Sequence, residues 1–131
     1  MGKEDKNVLV DTSAWIEFFR GTAGAADTVA KVIESGRAYV CGVIYFELLQ
    51  GMKAGENPVP FIELLKALNF IETTADMWIR AGNISAGLRK TGVTIPMSDL
   101  LIGAAAIEHG LYVLTHDEHF SSIPGIRLYR Q

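Results

Sequence analysis

The chain is short of sulfur, of long apolar runs and of positive charge, and each shortage excludes a class of protein. Its one cysteine, Cys41, has no partner for an internal disulfide and stands in an apolar run, which makes it a reduced core thiol rather than a catalytic one. No apolar stretch approaches the roughly 20 residues of a membrane span. Even "LLIGAAAIEHG" is interrupted by Glu108 and His109. The opening "MGKEDKN" has no apolar signal core, so the expectation is a soluble cytoplasmic protein. With 12 Lys and Arg against 15 Asp and Glu, the net charge of -3 argues against loose nucleic-acid binding by the whole surface. It leaves room for a nucleic-acid enzyme, because a divalent cation bound among carboxylates would offset two of those charges.

What is present is enough for one core. A chain of 131 residues with 49% hydrophobic content suits a single domain that buries roughly two thirds of its unfolded surface. We expect a polar leader over 1–6 and one domain over 7–131. "NVLV" reads as a buried strand, and "SAWIEFFRG" as a helix with Ser13 as its cap and Gly21 as its stop. "AADTVAKVIESG" places Ala26, Val29, Val32 and Ile33 on one helical face, before a second strand at 38–42. Further helices are expected in "VIYFELLQGMKAG" and over 60–68, then a strand in "FIET". Thr73 and Asp76 form a capping-box pattern before a long helix, and Ser98 is the expected cap of a small-sided one running from Asp99 to His109. "LYVLT" and "IRLYR" read as the last strands. Strands alternating with helices imply parallel crossovers, hence a three-layer α/β/α domain around a mainly parallel sheet of four to five strands.

In an open α/β sheet, ligands gather beyond the carboxyl ends of the strands. Asp11 follows the first strand directly and Asp117 follows "LYVLT" closely, so both belong on that rim. Asp99 at a helix start and Glu47 a few residues after the second strand can face the same rim. Each carboxylate alone has an ordinary explanation: a helix cap for Asp11 and Asp99, solvent for Glu47, a turn for Asp117. Together they conflict, because "IYFELL" and "MSDLLI" are apolar surroundings in which unpaired carboxylates repel one another. A hard cation, Mg²⁺ or Mn²⁺, resolves the conflict and brings the ability to activate water and neutralise a phosphoryl group.

Four stretches, "VLVDTSAWIEFF", "YFELLQG", "IPMSDLLIGAAA" and "VLTHDEHF", resemble in order and separation the four acidic motifs of the PIN domain. The short chain is similar to the VapC-type ribonuclease toxins of type II toxin–antitoxin systems. That resemblance covers the chain from about residue 7 onward. It implies a PIN-like sheet, Mg²⁺- or Mn²⁺-dependent endoribonuclease activity on RNA phosphodiesters, a homodimer, and neutralisation by a VapB-like antitoxin. By position Asp11, Glu47, Asp99 and Asp117 match the family's acidic residues, and Ser13 and Thr115 its supporting hydroxyls. Two features depart from it: Gly42-Val43-Ile44-Tyr45 stands where members often carry a hydroxyl before the Glu, and Asp117 is adjacent to a second acid, Glu118.

Rival readings are weaker. "HDEH" at 116–119 invites zinc, but the only cysteine is remote and His109 ends a different helix, so these histidines are expected to order a turn. Trp15 and Trp78 are expected in the core or at an interface, since no aromatic-interleaved basic stripe accompanies them. Arg20, Arg89, Arg127 and Arg130 are candidates for phosphate contacts, with a solvated face as the default. An aspartyl-phosphate enzyme would need a second acid where Ser13 stands. A non-catalytic PIN-like module that binds RNA or protein is the remaining alternative.

Overall fold

Val8, Leu9 and Val10 are fully buried, as a parallel strand covered on both faces must be. They form β1 (Val8–Val10) of a computed structural model that describes residues 6–130; the expected leader lies outside the described residues except for Lys6. The chain continues through α1 (Thr12–Arg20), α2 (Ala25–Glu34), β2 (Ala38–Cys41), α3 (Gly42–Gln50) and α4 (Val59–Lys66). It then forms β3 (Asn69–Ile71), α5 (Ala75–Arg89), α6 (Met97–His109), β4 (Tyr112–Leu114) and a 3₁₀ turn over Glu118–Ser122. The four strands lie in the order β3-β2-β1-β4, all parallel, with Leu9 opposite Tyr39 on one side and Val113 on the other.

This is the expected α/β architecture, with four strands. The last expected strand, over "IRLYR", reduces to a single parallel bridge between Val113 and Leu128. β1 and β4 occupy the middle and edge of the sheet, so the carboxyl ends of both, followed by Asp11 and Thr115, open on one rim.

Three helix starts differ from expectation. The cap position of α1 is Asp11, not Ser13, which lies one residue inside the helix. α5 is capped by Thr74, whose hydroxyl accepts from the Met77 N–H at 3.3 Å, one residue later than the Thr73 box. α6 begins at Met97 behind Pro96, so Ser98 falls inside it. Gly21 does end α1, at φ 70°, in the left-handed conformation glycine tolerates best. Small side chains let α6 sit deep in the molecule, with Asp99 through Ala106 all buried. A Cβ on Gly103 would come to 2.9 Å from Ile123 Cδ1, so this glycine admits the segment after the 3₁₀ turn.

Candidate metal centre

Asp11 is only 3% exposed, and although it occupies the cap position of α1, its side chain makes no capping bond. Its main chain does the joining: its N–H donates to Leu114 O at 2.9 Å, and its carbonyl accepts from Ala14 and Trp15. The carboxylate turns to the rim instead. Ser13 Oγ and Thr115 Oγ1 each donate to Asp11 Oδ2 at 2.8 Å. Those hydroxyls in turn accept from main-chain N–H groups, Ser13 from His116 and Thr115 from Asp117, both at 2.9 Å. Two amides feed two hydroxyls that converge on one oxygen, which leaves Oδ1 of Asp11 outside the network. The ordinary reading of Asp11 as a helix cap therefore fails on geometry.

Glu47 sits midway along α3, where Thr12 Oγ1 donates to its Oε1 at 2.7 Å. Nothing in the sequence marked Thr12, because its partner is 35 positions away on another helix. α3 has no side-chain cap; its cap position is Cys41, whose thiol is pushed up to about 11 by burial. The N–H groups of Ile44 and Val43 partly offset that rise, whereas the negative charges of Asp11 and Glu47 add to it. Cys41 is thus an inert thiol directly behind the acidic rim.

Asp99 lies in the first turn of α6 with a side chain 12% exposed. His119 Nδ1 approaches Asp99 Oδ2 to 3.3 Å and Asp117 Oδ1 to 3.1 Å, and the His119 N–H donates to Asp117 Oδ1 at 2.9 Å. Asp117 therefore does cap the 3₁₀ turn, as its ordinary reading has it, while also facing Asp99. Donor atoms of Asp99, Asp117 and His119 all lie within 4.8 Å of one another, a spacing suited to one ion. Of the adjacent acids, Asp117 faces this cluster and Glu118 is exposed. His119, expected only to order a turn, also joins the site.

The electrostatics tie the four acids together. The Asp99 carboxyl is pushed up to about 6, first by burial, then by the charges of Asp11 and Asp117; the His119 bond opposes the rise, and Glu47 adds to it. Among the described residues no Lys or Arg pairs with any of these four acids. Carboxylate oxygens with one imidazole form a donor set for a hard or borderline divalent ion, and uncompensated repulsion is what such an ion would relieve.

The sequence is matched by a family model: the PIN domain model covers residues 8–126, and the chain belongs to that family. Among its relatives, Ribonuclease VapC11 of Mycobacterium tuberculosis is 32% identical over 124 residues, spanning 91% of this chain and 92% of that protein. The same fold occurs in DNA-bound VapBC from Salmonella typhimurium, with TM-score 0.78 and 22% identity over 94% of this chain and 96% of that one. A toxin–antitoxin complex from Klebsiella pneumoniae shares it too, with TM-score 0.76 and 21% identity over 95% of this chain and 99% of that one.

Proposed function

We propose that this protein is a divalent-metal-dependent endoribonuclease, the VapC-like toxin of a toxin–antitoxin pair, with Asp11, Glu47, Asp99 and Asp117 as its acidic machinery. The observation that carries this reading is the convergence of Asp99, Asp117 and His119, whose donor atoms lie within 4.8 Å of one another, around a buried carboxyl that no Lys or Arg pairs with among the described residues. Carboxyls raised by burial and by one another, as Asp99 is, cluster at ligand-binding sites. Relatives named as VapC ribonucleases supply the RNA substrate class, and the VapBC and toxin–antitoxin complexes supply the antitoxin.

Asp11, Glu47, Asp99 and Asp117 would hold Mg²⁺ or Mn²⁺, which when bound supplies Lewis-acid polarisation of a phosphoryl oxygen and of water. The residues do the rest. Ser13 and Thr115 fix one oxygen of Asp11 and leave the other to face the ligand. Both hydroxyl protons are committed to that carboxylate, so neither side chain is poised as a nucleophile. Thr12 orients Glu47, and His119 bridges Asp99 and Asp117. Water is then the attacking group, in line with the departing 3′ oxygen, and the products are a 5′-phosphate and a 3′-hydroxyl.

A homodimer and an antitoxin contact both fit the apolar surface the fold leaves uncovered. Trp78 and Met97 are 49% and 64% exposed beside one another's helices, whereas Trp15 is entirely in the core. No helix among the described residues is long and apolar enough to cross a membrane, which is compatible with a cytoplasmic site of action.

The test uses full-length, antitoxin-free protein on a pool of transfer and ribosomal RNA, with Mg²⁺, Mn²⁺ or EDTA and with fragment ends mapped. Cleavage should require the metal and fall steeply in Asp11→Asn. Folded Asp11→Asn that cuts at the wild-type rate, or wild type that binds RNA and never cuts it, would overturn the assignment.

A further inference from the structure

A polar groove of about 420 Å³ opens beside the acidic rim, within the range of roughly 300–1,000 Å³ typical of small-ligand sites. Thr115 and Asp117 line it and belong to the acidic site as well, so the groove adjoins that site. His116, Tyr129 and Arg130 line the rest of its polar wall. The chain end that carries Tyr129 and Arg130 is held in place: Val113 N–H donates to Arg127 O, and Tyr129 N–H donates to Val113 O, both at 2.8 Å. This is the bridge that replaces the expected last strand, and it lays the C-terminal residues along β4.

Charge and position together point to Arg130, since Arg89, also without an ion-pair partner among the described residues, lines a different pocket with Trp78 and Met97. Arg20 pairs with Glu17, Arg80 with Glu108, and Arg127 lies 4.7 Å over the Tyr112 ring. Arg130 has no ion-pair partner among the described residues, and it stands in a groove whose neighbours are Asp117 and the rest of the acidic rim. A polyanion bound at that rim is repelled by every acid its metal does not cover, so a cation in the adjoining groove is what the next phosphate needs. Tyr129 adds an aromatic face, the feature that holds single-stranded bases irrespective of sequence. Glu118, on the same wall, offers an acceptor for a ribose hydroxyl, which DNA lacks at the 2′ position.

We propose that this groove binds the nucleotide adjoining the scissile phosphodiester, its base against Tyr129 and its phosphate on Arg130. The assignment rests on the ribonuclease reading above and extends it to a substrate-binding subsite. Both residues bind and position; neither touches the reacting atoms.

The experiment measures equilibrium binding of a short, mixed-sequence, fluorophore-labelled single-stranded RNA by anisotropy in Mg²⁺, with Asp11→Asn as background so that the probe survives. Adding Tyr129→Ala should weaken binding roughly tenfold, while Tyr129→Phe should restore it, since stacking needs the ring and not the hydroxyl. Adding Arg130→Ala should lower the slope of log affinity against log salt by about 0.7, one phosphate contact on a single strand. Lys31→Ala, on the exposed side of α2, serves as the control and should change neither quantity. Arg130 is exposed, so its replacement leaves the core intact and its salt slope is decisive even if Tyr129→Ala folds poorly. If wild type cuts the RNA pool while these variants bind like the background, the subsite is wrong and the nuclease stands. If wild type cuts nothing, the ribonuclease reading fails and the subsite falls with it.

Discussion

Replacing Asp99 by Asn should make the metal-free protein more stable at neutral pH while disabling its site. In the folded chain the Asp99 carboxyl stands at about 6, against an ordinary 3.8, chiefly through burial and the charges of Asp11 and Asp117. That gap of about two units corresponds to roughly 3 kcal/mol. Water still reaches part of the pocket, and we take about 2 kcal/mol as the working value. A raised carboxyl favours the folded state only while protonated, so its contribution is intact below pH 3.8 and is lost as pH rises through about 6. In EDTA, urea denaturation should therefore show Asp99→Asn close to wild type near pH 4 and about 2 kcal/mol more stable at pH 8, with an unchanged slope. Saturating Mg²⁺ should reverse the order at pH 8, since a ligand at a hundredfold excess over its dissociation constant adds about 2.7 kcal/mol to whichever form binds it. Should Asp99→Asn prove less stable than wild type at pH 8 in EDTA, some group of the protein already neutralises Asp99, and the argument for a missing cation is refuted.

Other outcomes follow from the same contacts. Thr115→Val removes one of the two hydroxyl bonds to Asp11 Oδ2; it should cost about 1–2 kcal/mol in urea and about 10–100-fold in metal affinity or RNA cleavage. Wild-type stability and affinity in that variant would mean that Asp11 is not held by its hydroxyls. Thr12→Val should lower cleavage through Glu47 while leaving Asp11-dependent stability alone; loss of fold instead would place Thr12 in the packing. Cys41, buried and with its thiol pushed up to about 11, should resist thiol reagents at pH 8 until denaturant is added. Rapid modification of the folded protein would contradict its place behind the rim.

Much of this site was legible because strand ends are legible. "VLV" followed by Asp11 and "YVL" followed shortly by Asp117 locate two acids on one rim from burial pattern and topology alone. Asp99 was singled out by the conflict between its charge and the apolar run around it, and that run is buried. What escaped were contacts between elements distant in sequence. Thr12 with Glu47, and His119 with Asp99, depend on how α3 and α6 pack, which no local pattern encodes. Helix starts were misplaced for a related reason: Ser13 has the right chemistry for a cap, but its hydroxyl is used on Asp11, and Pro96 fixes the entry to α6 before Ser98 is reached. The segment "IRLYR" has strand composition, yet it meets β4 over a single bridge, Leu128 with Val113.

The proposed nuclease needs a divalent ion held among Asp11 after β1, Glu47 of α3, Asp99 of α6 and Asp117 after β4. Crystals of the full chain soaked in Mn²⁺ and measured for anomalous scattering would locate that ion directly. The predicted peak lies at about 2.1 Å, close to the distance at which a small hard divalent ion binds oxygen, from carboxylate oxygens of Asp99 and Asp117, and disappears in Asp99→Asn. A fully soaked crystal with no peak there, or with its only peak on a surface pair such as Glu17 and its neighbours, would contradict it.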